Sequence, residues 1–68
     1  MHAISIGAVS RETGIKVPTI RYYEDIGLLP APDRTESNRR TYDAQSIQRL
    51  RFIRHARDLG FEVEAIRQ

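Results

Sequence analysis

The chain has 68 residues, 40% hydrophobic and 29% charged, with a net charge of +2 and a mean hydropathy of −0.51. A length like this holds one small domain, able to bury only about 60% of its unfolded surface, and with no cysteine it excludes disulfide staples and thiolate metal ligation. No apolar run approaches the roughly 18 residues of a membrane-spanning helix, and Met1-His2-Ala3 does not open a signal peptide, so the expected location is the cytoplasm, with no membrane partner.

Ile4-Ser5-Ile6 reads as a brief extended piece, after which Ser5 caps a helix over Ile6–Thr13. Ile6, Val9 and Thr13 fall on one face of it, and Gly14 stands where a left-handed residue is wanted to end it. So short a helix must lean on a neighbour. The neighbour is Val17–Gly27, in which Pro18 is tolerated because first-turn amides have no intrahelical partner. Val17, Ile20 and Tyr23 or Glu24 trace its inner face, while Thr19 and Tyr22 share another face near its start, with Arg21 beside them. Helix, glycine turn and second helix over 5–27 make a helix-turn-helix, whose second helix enters the DNA major groove. Tyr22 is assigned to the DNA side. For Tyr23 the spacing leaves two roles open, core packing and a phosphate contact through the hydroxyl.

Pro30-Ala31-Pro32-Asp33 breaks the helical pattern, and Ser37-Asn38 offers the positive φ that a hairpin turn demands. Residues 31–42 are therefore expected to form a two-stranded hairpin, Asp33–Thr35 against Arg39–Tyr42, with Asn38, Arg39 and Arg40 at its tip and return strand. A hairpin tipped with arginine after a helix-turn-helix is a wing. Asp43 then caps a third helix over 43–59, with Tyr42 and Ile47 spaced as a hydrophobic staple. Ile47, Leu50, Ile53 and Ala56 supply its buried stripe, which Phe52 and Leu59 are expected to widen. Gly60-Phe61 closes it, and 62–68 begins a fourth element carrying Val63 and Ile66. The fold class is mostly α with a small β-hairpin, a winged helix-turn-helix over 1–61. Residues 62–68 read as the start of a helix leading to a dimerisation and effector region that is absent.

Charge is regional. Residues 1–33 carry a net −1, residues 34–57 carry seven arginines against Glu36 and Asp43 for a net +5, and 58–68 return to −2. Ten of the eleven cations are arginine, whose planar fork suits phosphate. Glu24 and Asp25, late in the second helix, are expected to point away from a polyanion as a charged helix face.

These pieces resemble the N-terminal DNA-binding domain of MerR-type transcription regulators. The resemblance is carried by Ile4-Ser5-Ile6-Gly7, Thr13-Gly14-Ile15, the run Thr19–Glu24 with Gly27-Leu28-Leu29-Pro30, Arg39-Arg40-Thr41-Tyr42, and Leu50-Arg51-Phe52-Ile53 with Leu59-Gly60-Phe61. It implies a regulator that binds double-stranded DNA, an inverted-repeat promoter operator, as a homodimer. In response to an effector, such a dimer distorts the DNA so that RNA polymerase can use the promoter. Arg21, Tyr22 and Tyr23 match the family's helix contacts and Arg40 its wing arginine; Thr19 is the candidate base reader. The sequence departs from the family at Lys16, where Ser or Thr is common, at Ala8 for Glu, at Arg39 for an aromatic, and at Glu62 for a serine cap. The wording Lys16-Val17-x-Thr19-Ile20-Arg21-Tyr22-Tyr23-Glu24 leans toward the metal-responsive branch. The segment itself is expected to hold no cofactor, and any effector, a metal ion included, would be sensed elsewhere.

An enzyme is not expected. The sequence shows no phosphate-cradling glycine loop and no nucleophile beside a base, and His2 and His55 read as surface residues. The alternative to a regulator is a small effector-free architectural DNA binder of the excisionase kind, against which the fourth element argues.

Overall fold

Ser5 decides where the first helix begins. Its backbone is extended (φ −72°, ψ 161°) and its Oγ accepts a hydrogen bond from the Ala8 amide at 3.2 Å, satisfying one orphan first-turn donor. The computed structural model describes residues 4–30, the backbone of 33–34, and residues 40–67. Within it α1 runs Ile6–Thr13 and buries Val9 and Thr13. Gly14 ends the helix in the left-handed region at φ 74°, its N–H reaching the Ser10 carbonyl at 2.9 Å.

The turn that follows is closed by side chains. Thr13 Oγ1 donates to the Val9 carbonyl at 2.9 Å and accepts from the Ile15 amide at 3.3 Å, while Ser10 Oγ donates to the Ile15 carbonyl at 2.7 Å. Ile15 can therefore be buried with both its backbone groups paired, which removes the usual cost of burying them. The second helix, α2, spans Val17–Asp25 and starts at Lys16, which makes no side-chain cap. The Lys16 carbonyl takes the first bonds from Thr19 and Ile20, both at 3.0 Å, and Pro18 has no amide to leave unpaired. At the far end Gly27 adopts φ 80°; its amide reaches the Glu24 carbonyl at 3.1 Å and the Leu28 amide reaches Tyr23 at 2.9 Å. This reciprocal pair is a Schellman closure, and it drops Leu28 and Leu29 into the core.

Three short strands form one antiparallel sheet: β1 (Ile4–Ser5), β2 (Asp33–Arg34) and β3 (Arg40–Tyr42), in the order β1-β3-β2. Arg34 pairs with Arg40 and Asp33 with Thr41, giving the base of the expected hairpin; its turn at 36–38 lies outside the described residues. The expected extended piece at Ile4 and Ser5 adds a third strand to the hairpin, pairing with Tyr42 and Thr41 on the other edge of β3. A two-residue strand carries no readable period, so its partner is invisible in local sequence. A lone hairpin is marginal in water, and the added strand gives it the third member it needs.

Asp43 caps α3, Ala44–Asp58, by accepting from the Ser46 amide at 2.9 Å. That backbone hydrogen bond holds the Asp43 carboxyl below its ordinary 3.8. A carboxyl depressed on folding stabilises the fold above its unfolded value and loses that contribution as pH falls through the folded one. Asp43→Asn is therefore expected to flatten the fall in urea midpoint below about pH 4, with its main effect already present at neutral pH. A variant with the same acid limb as the parent would remove Asp43 as its source.

Leu50, Ile53 and Ala56 of α3 are buried against Val9, Ile20, Tyr23 and Tyr42, and Gly60 (φ 95°) closes α3 as Gly27 closes α2, with Phe61 N to Ala56 O at 3.0 Å. The short α4, Val63–Arg67, adds Ile66 to the same core. Phe52 and Leu59 do not widen the stripe; they remain 53% and 65% exposed. They stand about 100° and 120° round the helix from the centre of the buried row, too far to reach it. With Phe61 and Ile66 they line a groove of about 350 Å³ between α3 and α4, where the Arg49 guanidinium lies 5.5 Å from the Phe52 ring centroid.

Candidate nucleic-acid interface

Burial divides α2 into two faces. Ile20 is fully buried and Tyr23 is 7% exposed, whereas Tyr22, one residue earlier, is 52% exposed and Arg21 is exposed beside it. The two tyrosine rings stand 6.0 Å apart at 49°, so Tyr22 leans on an anchored partner. Thr19 is half-buried at the outer edge of the helix's first turn, a turn that holds no acidic side chain. Tyr23 thus has its ring in the core, and any contact it makes outward is confined to its small exposed edge.

Arg40 sits at the root of the wing, on β3, with 29% of its side chain exposed. Its Nε is buried and lies 3.4 Å from Glu24 Oε2, while the Tyr42 hydroxyl donates to Glu24 Oε1. Burial first, then the hydrogen bond to Glu24 and its charge, push the Tyr42 phenol far above its ordinary 10.0, so it stays a neutral donor. Glu24 is therefore more than part of a charged helix face: its side chain is 8% exposed, on the inner side that the helical spacing left open to it, and joins α2 to β3. Reading along the sequence missed both Glu24 and the Tyr42 hydroxyl, because eighteen residues separate the pair and no spacing rule connects them. The Thr19, Arg21, Tyr22 and Tyr23 positions and Arg40 are brought into one unit by this junction. Asn38 and Arg39 lie outside the described residues.

The arginines of α3 are engaged elsewhere. Arg49 Nε donates to the Leu28 carbonyl at 3.2 Å, Arg54 Nη1 to the Thr13 carbonyl at 2.7 Å, and Arg57 Nη1 to the Phe61 carbonyl at 2.9 Å. Arg51 pairs with Glu12 at 3.1 Å across exposed surface, where such a pair contributes little. The positive stretch at 34–57 is thus in good part a set of carbonyl clamps that hold helix ends. Among the described residues there is no His, Asp and Glu cluster able to hold a metal ion, and no helix long and apolar enough to cross a membrane.

Residues 4–68 match the family model described as MerR HTH family regulatory protein. Over 65 residues the chain is 49% identical to the heavy metal-dependent transcription regulator 2 of Rhizobium meliloti (strain 1021), an alignment covering 96% of this chain and 44% of that protein. It is 44% identical over 61 residues to the mercuric resistance operon regulatory protein of Bacillus cereus, covering 90% of this chain and 46% of the relative. Among solved structures, the transcription regulator PbrR691 from Ralstonia metallidurans CH34, in complex with lead(II), superposes with a TM-score of 0.86 at 43% identity, over 96% of this chain and 51% of that one. The chain spans about half the length of the curated relatives it matches.

Proposed function

This chain belongs to the MerR HTH family of regulatory proteins, and from that membership we propose that it is the DNA-binding part of a transcriptional regulator acting at a promoter operator. Its winged helix-turn-helix occupies 1–61, with α4 docked on α3 by Ile66 and leading onward. The full protein binds an inverted-repeat operator as a homodimer and distorts it for RNA polymerase, in the cytoplasm and without catalysis of its own. The effector is a metal ion sensed outside this segment, a reading supported by the heavy-metal and mercuric relatives and the lead(II)-bound neighbour. In this reading Thr19 meets base edges, Arg21, Tyr22 and the edge of Tyr23 meet phosphates, and the wing adds Asn38, Arg39 and Arg40. The observation that carries it is the exposed Tyr22 on a helix whose next residues are tied into the core and to the wing arginine.

The experiment is to select a duplex from a random pool and measure affinity for it, and for an unrelated duplex, across a salt series. Each phosphate neutralised contributes about −0.9 to the slope of log affinity against log salt. Arg40→Ala is expected to weaken both duplexes about tenfold and to flatten the slope by about 0.9; unchanged binding would take the wing out of the interface. Thr19→Val should instead alter the ranking of selected sequences, and a uniform loss across them would end its role as a base reader.

A further inference from the structure

Glu24 follows directly on the tyrosine pair, where a carboxylate facing DNA would repel it. Its two oxygens are instead divided between two residues of β3. Oε1 accepts from the Tyr42 hydroxyl, and Oε2 forms an ion pair with Arg40, lying 3.4 Å from a buried Nε that makes no hydrogen bond among the described residues. Tyr42 is 1% exposed, so core packing fixes where its hydroxyl stands. The carboxylate is thereby held from one side and holds the guanidinium on the other. A guanidinium has five N–H donors, and one held by charge on its Nε side keeps its terminal Nη pair for a forked contact with phosphate. An arginine already ordered in the free protein loses less freedom on binding than one that must be ordered by the DNA.

We propose that Glu24 is a positioning residue for DNA binding, which sets Arg40 through Nε against α2 so that the Nη groups face a phosphate. It touches no DNA itself. The inference rests on the DNA-binding reading above and adds a residue of the opposite charge to the interface's working parts. It has a distinctive consequence, because positioning and simple repulsion predict opposite signs. If Glu24 only repelled the polyanion, neutralising it would tighten binding. Acting through Arg40, its neutralisation weakens binding.

Glu24→Gln keeps the side chain's shape and an oxygen that can accept from Tyr42, and removes the charge that holds Arg40. Binding to a mixed-sequence duplex is measured over a salt series for the parent, Glu24→Gln, Arg40→Ala and the double variant, with thermal melts recorded on each. Glu24→Gln is expected to weaken binding about tenfold and to flatten the salt slope toward that of Arg40→Ala. Added to Arg40→Ala it should change neither quantity further. A merely destabilised fold would lower the active fraction and leave the slope where it was, so the slope separates the two causes. Tighter binding by Glu24→Gln, an unaltered slope, or additive losses in the double variant would overturn the proposal. A parent without salt-dependent binding would overturn the DNA-binding reading and this inference together, whereas a binding parent with an unaffected Glu24→Gln overturns the inference alone.

Discussion

Leu50→Ala is expected to remove a large share of the protein's stability. Leu50 is fully buried at the middle of α3, in the cluster that joins Val9 of α1, Ile20 of α2 and Ile53 of its own helix. Truncating such a side chain costs about 2–5 kcal/mol, the sum of lost transfer energy and the cavity left behind. A chain of this length has only about 3–10 kcal/mol in total. The site has little room to collapse, because its neighbours come from three helices with separately fixed ends. A urea titration followed by far-UV circular dichroism measures the loss, and Leu50→Met, which conserves volume, should lose less than about 1.5 kcal/mol. An alanine variant that unfolds at the parental midpoint would mean that the centre of the core lies elsewhere.

Gly14→Ala is the second large effect, and it has two separable parts. At φ 74° any residue with a Cβ is strained, by about 1–2 kcal/mol. Beyond strain, a Cβ there would stand 1.7 Å from Arg54 Nη1, well inside contact distance. Arg54 must then withdraw, and the Thr13 carbonyl loses its 2.7 Å charged hydrogen bond, a bond type that contributes about 1.5–3 kcal/mol. The two parts sum to about 2.5–5 kcal/mol, and the half-exposed Arg54 side chain puts the expected loss at the lower end. Gly27 and Gly60 provide the control, since both have positive φ but nothing within 4 Å of an added Cβ, so alanine there should cost the strain alone. Because Gly14→Ala and Arg54→Ala break the same bond, their losses should fall short of additive. Full additivity in urea melts would show that the glycine and the arginine are not coupled.

Most of the helix ends were legible before any coordinates, since each is signalled by chemistry within a few residues. Ser5, Pro18, Gly27, Asp43 and Gly60 all mark boundaries through their own hydroxyl, ring, carboxylate or positive φ. The outward Tyr22 and inward Ile20 followed from helical period in the same way. What escaped is long-range. The pairing of Ile4 with Tyr42 joins segments far apart in the chain, and two-residue strands offer no pattern to announce it. A count of arginines could not tell carbonyl clamps from phosphate ligands, because acceptors such as the Thr13 and Leu28 carbonyls lie far away in sequence. The helical spacing left Glu24 open to the inner face, but its bridge to Tyr42 and Arg40 escaped for the same reason, since both partners lie far along the chain. Phe52 and Leu59 join the expected stripe for being apolar, although the helical wheel already sets them about 100° and 120° from its centre.

Ser5 ends β1 and is also the cap of α1, so no residue separates the sheet from the first helix. Glu24 ties the central strand of the same sheet to α2. Among the described residues, the sheet at the base of the wing is thus joined directly to both helices, and a linkage of that kind transmits torque instead of absorbing it. Should the proposed dimer alter the twist of its operator, these residues would carry the change as a rigid-body rotation, turning wing and reading helix through one angle.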